Sequence, residues 1–474
     1  MTRACFSEYA TIRRMRVLLL LHDESPSLAG LTPTLATLAA RGAVIEAGSA
    51  AAYLRAEQIP VTEHADAAQL DLAATSLSTE DVLIAPADAT VHPGTIVAIT
   101  RALMAAERGP LIVVDTSAIG DLLGVIVGGE KVANYREELR RSAALALATH
   151  IAPLVRDGES AISAREVIVL ERIRTFGHGE NQHQSAAAYR RTEASDVGIL
   201  GARVLQGHEP SLNDLLDLDA GARLVADLPT PSVALMRHTD PIGVATAETA
   251  LGALTRAIET DPSASSGSTI ALNVPIDRAV AAVVAAGTYE SLLAPSVESD
   301  GAIEILRSRP DLTVIVDATP RPATLDMIGV SGAVLIQTAD TGTIDRSQLR
   351  VVTERRPTLD ELTDLLFSWR VVRHIRSNAI VVARSAATLG IGAAQVNRRI
   401  AVEIALNQAG ERARGAVLAS DAYFPFAEGI AAAAAAGITA IVQPGGSRRD
   451  AAAIEIADRH NIAMVFTGRR HYRR

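Results

Sequence analysis

Short runs of Val, Ile and Leu alternate along this chain with alanine-rich stretches of helical length, and this alternation restricts the available folds more than any other feature. In the first third, Val17–Leu21, Ala43–Glu46, Asp81–Ala85 and Leu111–Asp115 read as strands, and Thr34–Ala40, His92–Arg108 and Glu137–Thr149 as helices. That is the grammar of βαβ units, which place parallel strands in a sheet covered by helices. From Glu166 onward, polar loops rich in Gly, His, Asn and Gln separate the apolar elements. Here Ser232–Met236, Thr269–Leu272, Leu312–Val316, Ala333–Gln337, Ala379–Ala383, Ala416–Ala419 and Ala440–Gln443 read as strands with helices between them. Ala427–Gly437 reads as a helix stopped by glycine. The change of texture places a domain boundary near residue 160, and residues 1–14 read as an extension before Met15, an alternative start.

Composition narrows the function. The 474 residues are 48% hydrophobic, enough for two or more buried cores, while aromatic residues make up 3%, so Ala, Val, Ile and Leu must fill those cores. So few aromatic rings argue against a stacking surface for single-stranded nucleic acid, and a net charge of −9 against a field attracting phosphate polymers. Lys131 is the only lysine among 45 basic residues, so chemistry needing a titrating lysine has one candidate. The single cysteine, Cys5, excludes an intrachain disulfide and fits a reducing cytoplasm. Arg13, Arg14 and Arg16 before Val17 imitate a secretion signal, but His22, Asp23 and Glu24 end the apolar run short of the ~7 residues such a signal needs. No run reaches the ~18 apolar residues of a membrane-spanning helix. His183 and His238 lack metal-ligand spacing, and no metal is expected.

Polar clusters fall at strand ends and turns, where α/β proteins build their sites. In chain order they are Gly179–Gln184, Arg237–Gly243, Asp261–Gly267, Ser377-Asn378, Ser420–Phe426, Pro444–Ser447 and Thr467–Tyr472. Each alone is compatible with an ordinary hydrogen-bonded turn or, for Tyr423 and Phe424, with core packing. Pro444–Ser447 matches no Walker or Rossmann spacing. Together and in order, with Gln206–Glu209 running on to Asn213, Arg370–Ala383 and Gly390–Gln395, they resemble the transformylase half of the bifunctional purine-biosynthesis family that combines 5-aminoimidazole-4-carboxamide ribonucleotide transformylase with inosine monophosphate cyclohydrolase. The similarity runs from about Arg174 to Arg474.

This resemblance implies formyl transfer from 10-formyltetrahydrofolate, as cosubstrate, to the exocyclic amine of an amino-carboxamide nucleotide. An amine conjugated to a heteroaromatic ring is a poor nucleophile, so its attack needs a base, and the tetrahedral oxyanion needs a cation or donor. His238 takes the position of the base and Arg237 that of the family's lysine, where it can hold an oxyanion but cannot readily release a proton. Drift from Lys to Arg and an altered function both account for that change. By the same resemblance Asn378 lies near the carboxamide, Arg470 grips the phosphate, Tyr423 packs on the base, and His178 and Asn213 belong to the nucleotide side. Gly267, Glu290 and Asp421 fall on the folate side. The family's second phosphate arginine is replaced at Gly177-His178, with Arg174 the nearest substitute.

For the fold, the resemblance implies an N-terminal doubly wound domain of methylglyoxal-synthase type over 15–160 and a formyltransferase domain of two cytidine-deaminase-like subdomains over 161–474, with the active site at a homodimer interface. The first domain departs from the family. His22–Ser25 replaces its Ser-Asp-Lys-Thr turn, Glu46–Ala50 replaces its Ser-Thr-Gly-Gly-Thr phosphate loop, and its Arg-Val-Lys-Thr-Leu-His-Pro segment has no counterpart between His64 and Glu80. The expectation is a transformylase without cyclohydrolase activity. The alternatives are an inactive homologue that binds nucleotide or pairs with an active enzyme, and a fully bifunctional enzyme.

Overall fold

The computed structural model describes residues 15–20, 26–65, 69, 73–74, 76–77, 81–85, 100, 103, 110–114, 132–155, 162–192, 198–316, 325–426 and 428–474. Its contacts divide the chain into two units, Met1–Glu171 with Arg190–Glu193, and Arg172–Tyr189 with Ala194–Arg474. The boundary read from the sequence near residue 160 lies before this division, which cuts a two-stranded ribbon of β6 (Leu170–Phe176) and β7 (Ala186–Arg191).

The first unit is built on β1 (Arg16–Leu19), β2 (Val44–Ala47), β3 (Val61–Glu63), β4 (Val82–Ile84) and β5 (Leu111–Val113), in the order β3-β2-β1-β4-β5. All its pairings are parallel. Alternate residues enter different cores: Val17, Leu19 and Ile45 join Leu28, Leu35 and Leu54, whereas Leu18, Leu83 and Ile112 join Leu77 and Ala143. Strands buried on both faces read as continuous apolar runs, which is why they are visible in the sequence. Helices α1 (Pro26–Ala40) and α3 (Val132–Val155) start earlier or run longer than their apolar periodicity suggests, and a short helix α2 (Ala51–Ala56) follows β2. The His22–Ser25 turn and nearly all of His92–Arg108 lie outside the described residues.

Glu46, in β2, is a buried carboxylate of this sheet at the position where the family's phosphate loop begins. Rather than facing a phosphate loop as a free negative charge, Glu46 is 4% exposed and paired with Arg16 and, at 2.8 Å, with His64. Burial raises its pKa, but hydrogen bonds from Arg16 and His64 and their charges outweigh that and hold it below the usual carboxylate value.

The second unit carries one twelve-stranded sheet that reads nearly the same from either end. Half of it is β8 (Arg203–Gln206), β9 (Ser232–Arg237), β10 (Asp240–Thr246), β11 (Thr269–Leu272), β12 (Ser291–Leu293) and β13 (Thr313–Val316). The other half is β16 (Arg350–Val351), β17 (Ile380–Arg384), β18 (Ala387–Gly392), β19 (Val417–Ser420), β20 (Ala440–Gln443) and β21 (Ala463–Phe466). The order is β16-β21-β20-β19-β17-β18-β10-β9-β11-β12-β13-β8, so the halves meet at β18 and β10. The helices repeat likewise: α4 (Leu212–Ala226), α5 (Ala250–Ile258), α6 (Arg278–Ala286) and α7 (Asp300–Arg307) against α8 (Leu359–Val372), α9 (Arg398–Ala409), α10 (Glu428–Ala435) and α11 (Asp450–Arg459). The fourth residue of β10 and of β18 is glycine, and a Cβ there would stand 2.0 Å from Ala257 O at Gly243 and 2.0 Å from Ala405 O at Gly390. Only glycine lets each helix lie this close to its strand.

Two sequence expectations meet different outcomes here. The helix expected over Ala427–Gly437 is α10, whose exit places Gly437 at φ +82°, a left-handed conformation suited to glycine. The strand expected over Ala333–Gln337 forms, but in a separate hairpin of β14 (Leu325–Val330) and β15 (Ala333–Thr338). Val334 and Leu335 are 59% and 57% exposed there. An apolar run fixes strand propensity without choosing the sheet it joins.

Candidate functional site

A tightly held polar turn of the second unit joins β9 to β10. His238 and Thr239 occupy it with φ of 54° and 65°, the left-handed region that two-residue hairpins require and that a β-branched residue resists. Both backbone N–H groups donate to Asp217 of α4, His238 N at 3.1 Å and Thr239 N at 2.5 Å. Both carbonyls accept from arginines, His238 O from Arg376 and Thr239 O from Arg473, each at 3.1 Å. With the backbone held, the His238 imidazole stands exposed at the tip.

The opposite half repeats this turn without its chemistry. Ser385 and Ala386, at φ 52° and 55°, join β17 to β18, and their N–H groups donate to Asp364 of α8 at 2.8 and 2.7 Å. The separations are the same in both halves, 21 and 22 residues. The strained turn is therefore a property of the repeated unit, and the His-Thr pair is what distinguishes one copy from the other.

Arg237 ends β9, and its Nη2 donates to Ser266 O. Gly267, at φ +68°, sits against it: a Cβ there would be 3.0 Å from Arg237 Nη2 and 3.6 Å from Glu290 Oε1. Three residues selected from separate motifs, Arg237, Gly267 and Glu290, thus converge beside His238. The glycine keeps open a space that any side chain would narrow.

Antiparallel pairing brings the entrance of β17 to the same end of the sheet as the exit of β9. There Asn378 donates from Nδ2 to Gln395 O at 2.6 Å, and its Oδ1 accepts from Arg398 at 2.7 Å. Arg376 joins this region to the His238 turn, its backbone N and Nε donating to Asp240 at 2.9 and 2.8 Å. Asp421 is fully buried, paired with Arg398 and accepting from Ser377 Oγ at 2.5 Å. Asp421 fixes Arg398, which fixes Asn378. The cause is burial: an unpaired charge inside would cost several kcal/mol, so the carboxylate keeps its arginine.

Beyond Asp421, Tyr423 and Phe426 are exposed and Phe424 is buried. Asn397, Arg398, Phe424, Phe426, Glu428 and Gly429 line a cavity of about 190 Å³. Arg449 covers the Phe426 ring with its guanidinium carbon 4.5 Å from the centroid. In the C-terminal tail, His471 N donates to Asp421 O at 2.9 Å, placing the exposed Arg470 beside this loop with its guanidinium over Tyr472 at 4.6 Å.

The remaining expected residues form a separate group. His178 is exposed and meets Gly179 O through Nδ1 at 2.7 Å, and Asn213 reaches Glu180 O at 3.4 Å. Asn213 lies one helical turn before Asp217 on α4, its only tie to the His238 turn among the hydrogen bonds of the described residues. Arg174, the substitute phosphate arginine, is committed to Glu209 at 3.1 Å and to Pro210 O at 2.5 Å. Asp217, Asp240, Arg376, Arg398, Arg473 and Glu428 escape sequence reading. The equal spacing from Asp217 and Asp364 to their turns was the one available signal. Among the described residues no group of His, Cys, Asp and Glu is arranged to hold a metal, and no helix is long and apolar enough to cross a membrane.

The model of the AICARFT/IMPCHase bienzyme family matches residues 111–408, more than half of the sequence and spanning both His238 and Asn378. The chain belongs to this family. Among curated relatives, the bifunctional purine biosynthesis protein PurH of Anoxybacillus flavithermus is 45% identical over 298 residues, covering 62% of this chain and 58% of the relative. PurH of Trichodesmium erythraeum is 42% identical over 334 residues, 69% of this chain and 64% of its own. PurH of Nostoc sp. strain PCC 7120 is 42% identical over 340 residues, 71% of this chain and 67% of its own. The matched part thus spans about three-fifths to two-thirds of these family members.

Proposed function

We propose that this chain transfers a formyl group from 10-formyltetrahydrofolate to the exocyclic amine of 5-aminoimidazole-4-carboxamide ribonucleotide or a close amino-carboxamide analogue. The observation that carries this reading is the convergence of His238, Arg237, Gly267 and Glu290 at the same end of the sheet as Asn378, while the matching turn of the other half holds only Ser385 and Ala386. His238 removes a proton as the amine attacks the formyl carbon. The Arg237 guanidinium stabilises the oxyanion. Collapse then breaks the bond to the folate nitrogen, which takes its proton from the His238 imidazolium, because arginine cannot supply one. Asn378, oriented by Arg398, faces the carboxamide, Tyr423 packs against the base and Arg470 grips the phosphate, with His178 and Asn213 on the nucleotide side. Gly267 and Glu290 border the folate, and Asp421 acts by positioning Arg398.

Ring closure to inosine monophosphate is assigned elsewhere. The reason lies in the missing catalytic segment between His64 and Glu80 and in the replaced phosphate loop, whose Glu46 is paired with Arg16 and His64. A homodimer in the cytoplasm completes the reading, supported by the exposed apolar face of β14 and β15 and the lone cysteine. A second reading, a silent homologue that binds nucleotide, draws on Arg237 being engaged by Ser266 O. Incubation with both substrates separates the two: tetrahydrofolate release supports the transferase, and ligand-induced thermal protection without release supports the silent homologue.

A further inference from the structure

The two turns of the repeated unit differ in who holds their second carbonyl. At the silent turn, Ala386 O accepts from the backbone N–H of Thr246 at 2.9 Å, a donor fixed by its strand. At the His238 turn, Thr239 O accepts instead from the side chain of Arg473 at 3.1 Å, one residue short of the last in the chain. The first carbonyls are treated alike, Ser385 O accepting from Arg256 at 2.5 Å and His238 O from Arg376 at 3.1 Å. Only the second carbonyl exchanges a backbone donor on the neighbouring strand for the side chain of a tail residue.

Arg473 is itself braced from several directions. The same Nη1 donates to His374 O just past the end of α8. Its backbone exchanges contacts with Ser377, whose N donates to Arg473 O at 2.8 Å and whose Oγ accepts from Arg473 N at 3.3 Å. Ser377 immediately precedes Asn378. One residue of the tail therefore touches the turn carrying His238 and the segment carrying Asn378, three residues beyond Arg470.

We propose that Arg473 is a positioning residue for His238, holding the imidazole at the angle that deprotonation of the amine requires. The inference rests on the reading of His238 as the base. Arg473 touches no reacting group: its effect passes through Thr239 O and the strained φ of the two turn residues, which relax toward ordinary values when the second carbonyl is released. Misplacing a base by about an ångström costs on the order of 10²-fold in rate, so loss of the brace lowers kcat without removing the base.

The test is a double-mutant cycle of Arg473→Ala and His238→Ala in the full-length protein, followed by tetrahydrofolate release from 10-formyltetrahydrofolate and the aminoimidazole carboxamide ribonucleotide. The expected result is a ~10–100-fold fall in kcat for R473A, KM for the folate within about twofold, and little additional loss when R473A is added to H238A. Arg473→Lys, which keeps one donor for Thr239 O, recovers part of kcat. Where H238A turnover is too slow for the cycle, the pH profile decides: the acid limb of kcat moves in R473A and stays in place in R473K. Equal losses from R473A in both backgrounds, or an unchanged kcat in a folded R473A protein, overturn the positioning role while leaving the base assignment intact. Full turnover in H238A overturns both.

Discussion

At the scale of single residues, the proposed chemistry turns on one exposed imidazole, that of His238. His238 leaves its turn's backbone hydrogen bonds untouched by its side chain, so His238→Ala is expected to lower turnover ~10²–10⁴-fold while thermal unfolding stays where it was. An unchanged kcat in that variant removes the base from the mechanism. His238, Arg237 and Asn378 were legible in the sequence because the chemistry needs their side-chain types inside motifs. Asp217, Arg376 and Arg473 were not, since each acts on backbone atoms of the turn from 21, 138 and 234 residues away. Asp421 shows the converse limit: its motif names the residue, and only burial shows that its carboxylate is paired with Arg398.

At the scale of elements, the site stands on buried charges that tie α8, α9 and the loop after β19 together. Arg398→Met leaves the Asp421 carboxylate buried with Ser377 as its remaining side-chain partner, and is expected to destabilise the second unit by about 3–5 kcal/mol. Denaturant unfolding followed through Trp369, the only tryptophan and 2% exposed, measures it; a shift below about 1 kcal/mol would sink the argument. His374, just past α8, gives a pH prediction. Burial, with the charges of Arg373, Arg473 and Arg223, holds its pKa well below 6.5 even though Asp227 lies 2.5 Å away. The folded state then binds fewer protons than the unfolded state below about pH 6.5, so stability falls as pH drops through that window. The same Trp369 curves at pH 7.5 and 5.5 should show the loss, and His374→Gln should flatten it. Strands buried on both faces were readable as apolar runs, and so was the strand over Ala333–Gln337, but not its place in an exposed hairpin, because exposure leaves no trace in a short apolar stretch.

At the scale of the whole molecule, the division into two units and the duplication inside the second carry the prediction. Each half of the twelve-stranded sheet repeats the same helices, turn and close-packed glycine, which the sequence hid because few side chains need to match for the backbone to do so. All residues assigned to formyl transfer lie in the second unit, so a protein lacking residues 1–155 is expected to keep formyl transfer as long as it remains folded; loss of activity in a folded truncation would make the first unit necessary. Membership of the family was legible from ordered motifs, while the pairing of Glu46 with Arg16 and His64 was visible only in three dimensions. The most direct measurement of the central claim mixes purified full-length protein with 10-formyltetrahydrofolate and 5-aminoimidazole-4-carboxamide ribonucleotide, following tetrahydrofolate by absorbance and products by mass spectrometry. The expected result is tetrahydrofolate release matched by a formylated, uncyclised nucleotide. Absence of tetrahydrofolate release from folded protein that binds both ligands would contradict it.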